Sequence, residues 1–141
     1  MRRTVLLAAA LLACTLASAE SLTLADVKGK GAVQLGADDL KSLLAGARVA
    51  NLLPSGGTRR WENRAGGDLS ASSDGRGLPT PRVYSGSGTW NVDARGTYCV
   101  HIQWPTQTED WCRYIYKAGD RYYTFLTLDD AARAWEFEIS R

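Results

Sequence analysis

From Val49 onward the sequence is broken at short intervals by turn chemistry, and this rhythm constrains the fold more than any other feature. The marks are Pro54-Ser55-Gly56-Gly57, Ala65-Gly66-Gly67, Asp74-Gly75, Gly86-Ser87-Gly88, Asp93-Ala94-Arg95-Gly96, Pro105-Thr106 and Ala118-Gly119-Asp120. Between them lie short β-branched and aromatic runs, which place strands near 58–64, 68–72, 81–85, 88–93, 96–104, 110–117, 121–127 and 134–140. Turn signals roughly 8–12 residues apart predict a mainly β fold, a small antiparallel barrel or sandwich of about six to eight strands. The loop 73–82, with two glycines and two prolines, is expected to be the least ordered part.

Three segments allow a finer reading. In NVDARGTY, Asp93 opens a type I turn and Gly96 closes it, so Trp90 and Val92 should pair with Tyr98 and Val100. In WEFEIS, alternation puts Trp135, Phe137 and Ile139 on one face and Glu136 and Glu138 on the other. The SGSG stretch reads as a turn and strand-edge signal rather than a phosphate loop, because no strand-to-helix context or lysine follows it.

Ahead of the strands, residues 20–36 read as a leading arm or short strand. In GADDLKSLLAGARV, Leu40, Leu43 and Leu44 fall at helical spacing. Asp38 or Asp39 can cap this helix, expected near 38–45, and Gly46 can stop it. Two to three turns are marginal alone, so the leucine face must pack on the sheet. The first 19 residues carry Arg2 and Arg3, an apolar run and Ala17-Ser18-Ala19, the pattern of a cleaved secretory leader. The run is too short to span a membrane. A rival reading takes Leu11-Leu12-Ala13-Cys14 as a lipobox, with Cys14 lipidated; the ordinary cut is preferred. Cleavage leaves a single β-rich domain over 37–141 behind the arm. The formal charge of +2 resides in Arg2 and Arg3, so the remainder is formally neutral. Without a basic footprint, nucleic-acid binding is not expected.

Removing the leader leaves Cys99 and Cys112, which predicts one disulfide in an oxidising compartment. No zinc spacing or cofactor motif accompanies them, so neither a metal nor a cofactor is expected. If Pro105-Thr106 is a two-residue turn, Cys99 faces Cys112, Val100 faces Trp111 and His101 faces Asp110. Closing a loop of about 14 residues is worth about 3 kcal/mol. His101 is the only histidine. With Asp110, and Tyr114 or Thr97 nearby, it offers an acid/base pair, or equally a structural cross-strand pair. No nucleophile elbow or second histidine supports catalysis, so no catalytic residue is assigned. Trp90, Trp104, Trp111 and Trp135 should be mostly buried, while Trp104 and Trp111, with His101, Asp110 and Tyr114, are the candidate ligand contacts.

The combination GTWNVDARGTYCVHIQW and TEDWCRYIYKAGDRYY resembles a family of small exported proteins of Gram-negative bacteria known only as a domain of unknown function. The resemblance runs from about Leu35 to Tyr123 and implies export and a β-rich C-terminal half, but no activity. Gly88-Thr89-Trp90 is distantly similar to the Gly-x-Trp of lipocalin-like barrels. Small periplasmic β-barrels that inhibit lysozyme are similar in size, which implies inhibition of a cell-wall-degrading enzyme as one alternative role. The reading favoured by the residues is an exported, non-enzymatic domain that binds a small ligand, an envelope glycan or a protein. The other alternative is a hydrolase or transferase using His101 and Asp110.

Overall fold

The computed structural model describes residues 21–76 and 82–141. The leader, Cys14 and the centre of the loop 73–82 lie outside the described residues. The elements run α1 (Leu24–Gly29), β1 (Val33–Gln34), α2 (Ala37–Leu44), β2 (Arg48–Leu52), β3 (Thr58–Asn63), β4 (Asp68–Ser73), β5 (Tyr84–Val92), β6 (Tyr98–Gln103), β7 (Thr108–Ala118), β8 (Arg121–Phe125) and β9 (Trp135–Ser140). Each strand from β2 to β9 pairs antiparallel with the next, and β9 returns to pair with β2. The result is a closed eight-stranded up-and-down barrel, which leaves no open sheet edge within the ring. β7 is the longest strand: Thr108–Arg113 pairs with β6, and Tyr114–Ala118 pairs with β8 and, on its other edge, β1.

Alternation fills the barrel. Val49, Trp61, Leu69, Ala71, Tyr98, Val100, Ile102, Ile115 and Phe137 form the main buried cluster. Leu40 and Leu44 of α2 join it with no exposed surface, so the leucine face packs on the sheet as its spacing predicted, and α2 plugs one end of the barrel. A chain of buried hydrogen bonds ties plug to wall. Trp61 Nε1 donates to Tyr98 Oη at 2.8 Å, Tyr98 Oη donates to Asn63 Oδ1 at 2.9 Å, and Asn63 Nδ2 donates to the Leu44 carbonyl at 3.2 Å.

A second cluster lies on the outside of β7 and β8, where Tyr116, Tyr123 and Phe125 are covered by Leu24 and Val27 of α1. The arm therefore holds a helix as well as the short strand β1. Its start is a capping box: Thr23 Oγ1 accepts from the Asp26 backbone, and the Asp26 carboxylate accepts from Thr23 N–H at 2.8 Å.

The structure departs from several expectations. The N-cap of α2 is Gly36, with no side-chain cap; Asp38 and Asp39 lie inside the first turn, where their negative charge is favourable to the helix dipole. β2 was not among the expected strands, because it is short and its pairing to β9 is almost the longest-range contact the chain can make. SGSG is not a turn: a single strand, β5 (Tyr84–Val92), runs through it where two separate strands were expected. A Cβ on Gly88 would lie 1.8 Å from the His101 carbonyl oxygen, and one on Gly86 would lie 2.9 Å from the Gln103 oxygen. Those glycines let neighbouring backbone press against the inner face of β5.

Candidate functional site

The end opposite α2 is the open mouth. The connections 53–57, 104–107 and 126–134 fall there by the strand order, as do the ends of the strands β4 and β5 at Ser73 and Tyr84. Barrel mouths of this size are common ligand sites, since eight strands leave room for one small molecule. At this level the inward positions change from aliphatic to aromatic and charged. β3 contributes Arg59 and Trp61, β7 contributes Glu109, Trp111 and Arg113, and β9 contributes Trp135 and Phe137. Together with Asn51, Leu53 and Pro54 they line a cavity of 140 Å³. It meets a 420 Å³ cleft at Leu53 and Arg59, lined beyond them by Arg76, Arg82, Tyr84 and Trp104. Four arginines and one carboxylate thus border the two spaces.

Both oxygens of the carboxylate are engaged. Glu109 Oε2 accepts from Arg59 Nη1 at 2.5 Å and from Trp104 Nε1 at 3.1 Å, and its Oε1 accepts from Trp111 Nε1 at 3.0 Å. The Arg59 guanidinium also lies 5.5 Å from the Trp104 ring. Arg113 is treated differently. Its guanidinium stands 5.3 Å from the Trp111 ring, 5.7 Å from Trp135 and 6.0 Å from Phe137. Its hydrogen bond among the described residues is a long one, 3.5 Å from Nη1 to Thr124 Oγ1, and its buried Nε–H has no partner. Burial lowers its pKa from the usual arginine value, opposed by the charge of Glu109.

The sequence-predicted residues divide between the two sides of the wall. Trp104 and Trp111 face the interior and share Glu109. His101 and Asp110 face outward, His101 Nδ1 lying 2.5 Å from Asp110 Oδ1. The cross-strand register is Cys99 with Cys112, Val100 with Trp111 and His101 with Asp110, with Pro105-Thr106 between Trp104 and Gln107. The Cys99–Cys112 disulfide is formed, its α-carbons 4.0 Å apart. It sits beside His101 in a shallow 270 Å³ depression with Thr89 and Asn91. Tyr114 is also outside, packed against the second cluster under α1. Trp90, Trp104, Trp111 and Trp135 are partly buried, none of them exposed, and Trp61 is the most deeply buried indole, 5% exposed.

Compared with family models, curated proteins and solved structures, the chain matches none. Its chemistry has to be read from the site itself. Arg59, Glu109 and Arg113 are the functional candidates that the sequence reading passed over. The signal was present: once Cys112 faces out, Glu109, Trp111 and Arg113 must all face in, and charge on a core face is uncommon. A shallow groove outside β9, β2, β3 and β4 carries Arg48, Arg60, Glu62 and Glu138, a balanced set on an exposed surface. No group of three or more metal-ligating side chains occurs among the described residues.

Proposed function

We propose that this chain is an exported binding protein that takes a small ligand into the open mouth of its barrel. The observation that carries this reading is the mouth itself, where partly buried indoles and a cation without a carboxylate partner border an unfilled space. A core built only for stability would close such a space, because each void and each unpaired buried polar group costs free energy. Trp and Tyr walls with a few polar groups are the usual lining of small-molecule sites. The enzyme alternative depends on His101 and Asp110, which stand on the exposed outer wall away from the mouth.

Thermal-shift measurements with low-molecular-weight envelope extract test the reading on three forms: the wild type, Asn51→Trp and His101→Ala. Stabilisation should occur in the wild type and His101→Ala and vanish in Asn51→Trp, whose indole fills the cavity. Stabilisation lost in a normally folded His101→Ala would favour the outer-wall enzyme. Export has its own test: mass spectrometry of envelope protein should find Glu20 at the N-terminus. A diacylated peptide beginning at Cys14 would place the protein on a membrane instead.

A further inference from the structure

We infer that Arg113 is the anchor for the carboxylate of a small organic acid, whose apolar body lies against Trp111, Trp135 and Phe137. The inference deepens the proposed function and rests on it. A guanidinium carries five N–H donors in a fixed fork suited to a carboxylate. At Arg113 only one of them is used within the protein, over a long 3.5 Å, and no Asp or Glu lies within 4.0 Å among the described residues. The contrast with Arg59 is informative, since Arg59 stands on the same inner wall and has Glu109 at 2.5 Å.

Glu109 makes no ion pair with Arg113, although its charge is felt there. Its two oxygens already accept three hydrogen bonds, from Arg59, Trp104 and Trp111. Both guanidinium groups keep a buried Nε–H without a partner, but Arg59 is neutralised by a carboxylate and Arg113 is not. The rings around Arg113 stabilise its charge by cation–π contact but supply no acceptor in its plane. An anionic oxygen pair would supply that acceptor.

Size and polarity narrow the ligand class. A space of 140 Å³ is close to the engineered apolar cavity of about 150 Å³ that holds benzene. A compact aromatic or short aliphatic body fits, and longer substituents can extend into the adjoining 420 Å³ cleft. Inorganic phosphate is a poorer match, because it would bring two charges near Glu109 and leave the aromatic wall unused.

The test is calorimetric titration of the mature, oxidised chain with benzoate and hexanoate, beside benzamide, hexanamide and inorganic phosphate. At least one acid should bind saturably and at least tenfold more tightly than its amide and than phosphate. Arg113→Met should weaken that acid at least tenfold. Arg113→Lys should weaken it less and keep the preference for acid over amide. Glu109→Gln, which keeps an acceptor for Arg59 but removes the competing charge, should tighten it. If Arg113→Met fails to fold by circular dichroism, the lysine and glutamine variants decide. Acid and amide binding alike would overturn the carboxylate anchor while leaving the mouth as a ligand site. Phosphate matching the acids would reduce Arg113 to a simple anion site. No binding by either acid would overturn the inference, and the extract experiment would then judge the mouth separately.

Discussion

Tyr98 shows how one side chain joins plug to barrel. Its hydroxyl accepts from Trp61 and donates to Asn63, and burial raises the phenol's pKa, so it stays a neutral donor. Tyr98→Phe leaves both neighbours without their partner and should cost about 1–3 kcal/mol in chemical denaturation. Asp93 acts at the surface. Its Oδ1 accepts from the backbone N–H of Thr97 at 2.9 Å and of Arg95 at 3.0 Å, and the Thr97 bond is the main reason its pKa falls to about 2. A lowered carboxylate pKa stabilises the fold above the unfolded value of about 3.9, and that contribution disappears as pH falls toward 2. Asp93→Asn should therefore melt below the wild type at pH 7, with the gap closing between pH 4 and pH 2. A gap independent of pH would mean that the turn does not depend on the carboxylate's charge.

Among the elements, the β5–β6–β7 meander was the most legible, because each constraint there is local. The Asp93 turn with Gly96 at φ 73° pairs Val92 with Tyr98 and Trp90 with Val100, and Pro105-Thr106 sets the next register. Face parity of the two cysteines agrees with both. The bridge spans 13 residues in sequence, and reducing it should cost about 3 kcal/mol, read as a lower urea midpoint. An unchanged midpoint would show that the hairpin is held by the barrel alone. Elements fixed by distant contacts were less legible. β2 finds its partner in β9 across most of the chain, and α1 is too short to be stable without the β7–β8 surface beneath it. SGSG misled because glycine marks turns and close backbone approaches alike, and only the closed barrel decides between them.

At the scale of the whole molecule, the barrel has two unlike ends. One is sealed by Leu40 and Leu44, and the other is ringed by indoles and arginines. The rim also exposes Leu52, Val83, Leu126 and Leu128, four of the five large apolar side chains left open to solvent among the described residues. The candidate site was half legible. Trp104 and Trp111 were singled out for their amphipathic rings, but His101, Asp110 and Tyr114 were grouped with them by nearness in sequence, and strand alternation puts those three on the opposite side of the wall. The central claim is that ligands enter at the mouth, and indole N–H resonances test it most directly, because the five tryptophans mark both ends of the barrel. On titration with a small-fragment library, binders should shift the Trp104, Trp111 and Trp135 signals and leave Trp90, bonded to the Arg64 carbonyl near the plugged end, in place. Shifts confined to Trp90 and the backbone of Thr89, Asn91 and His101 would contradict the account and move the site to the outer wall.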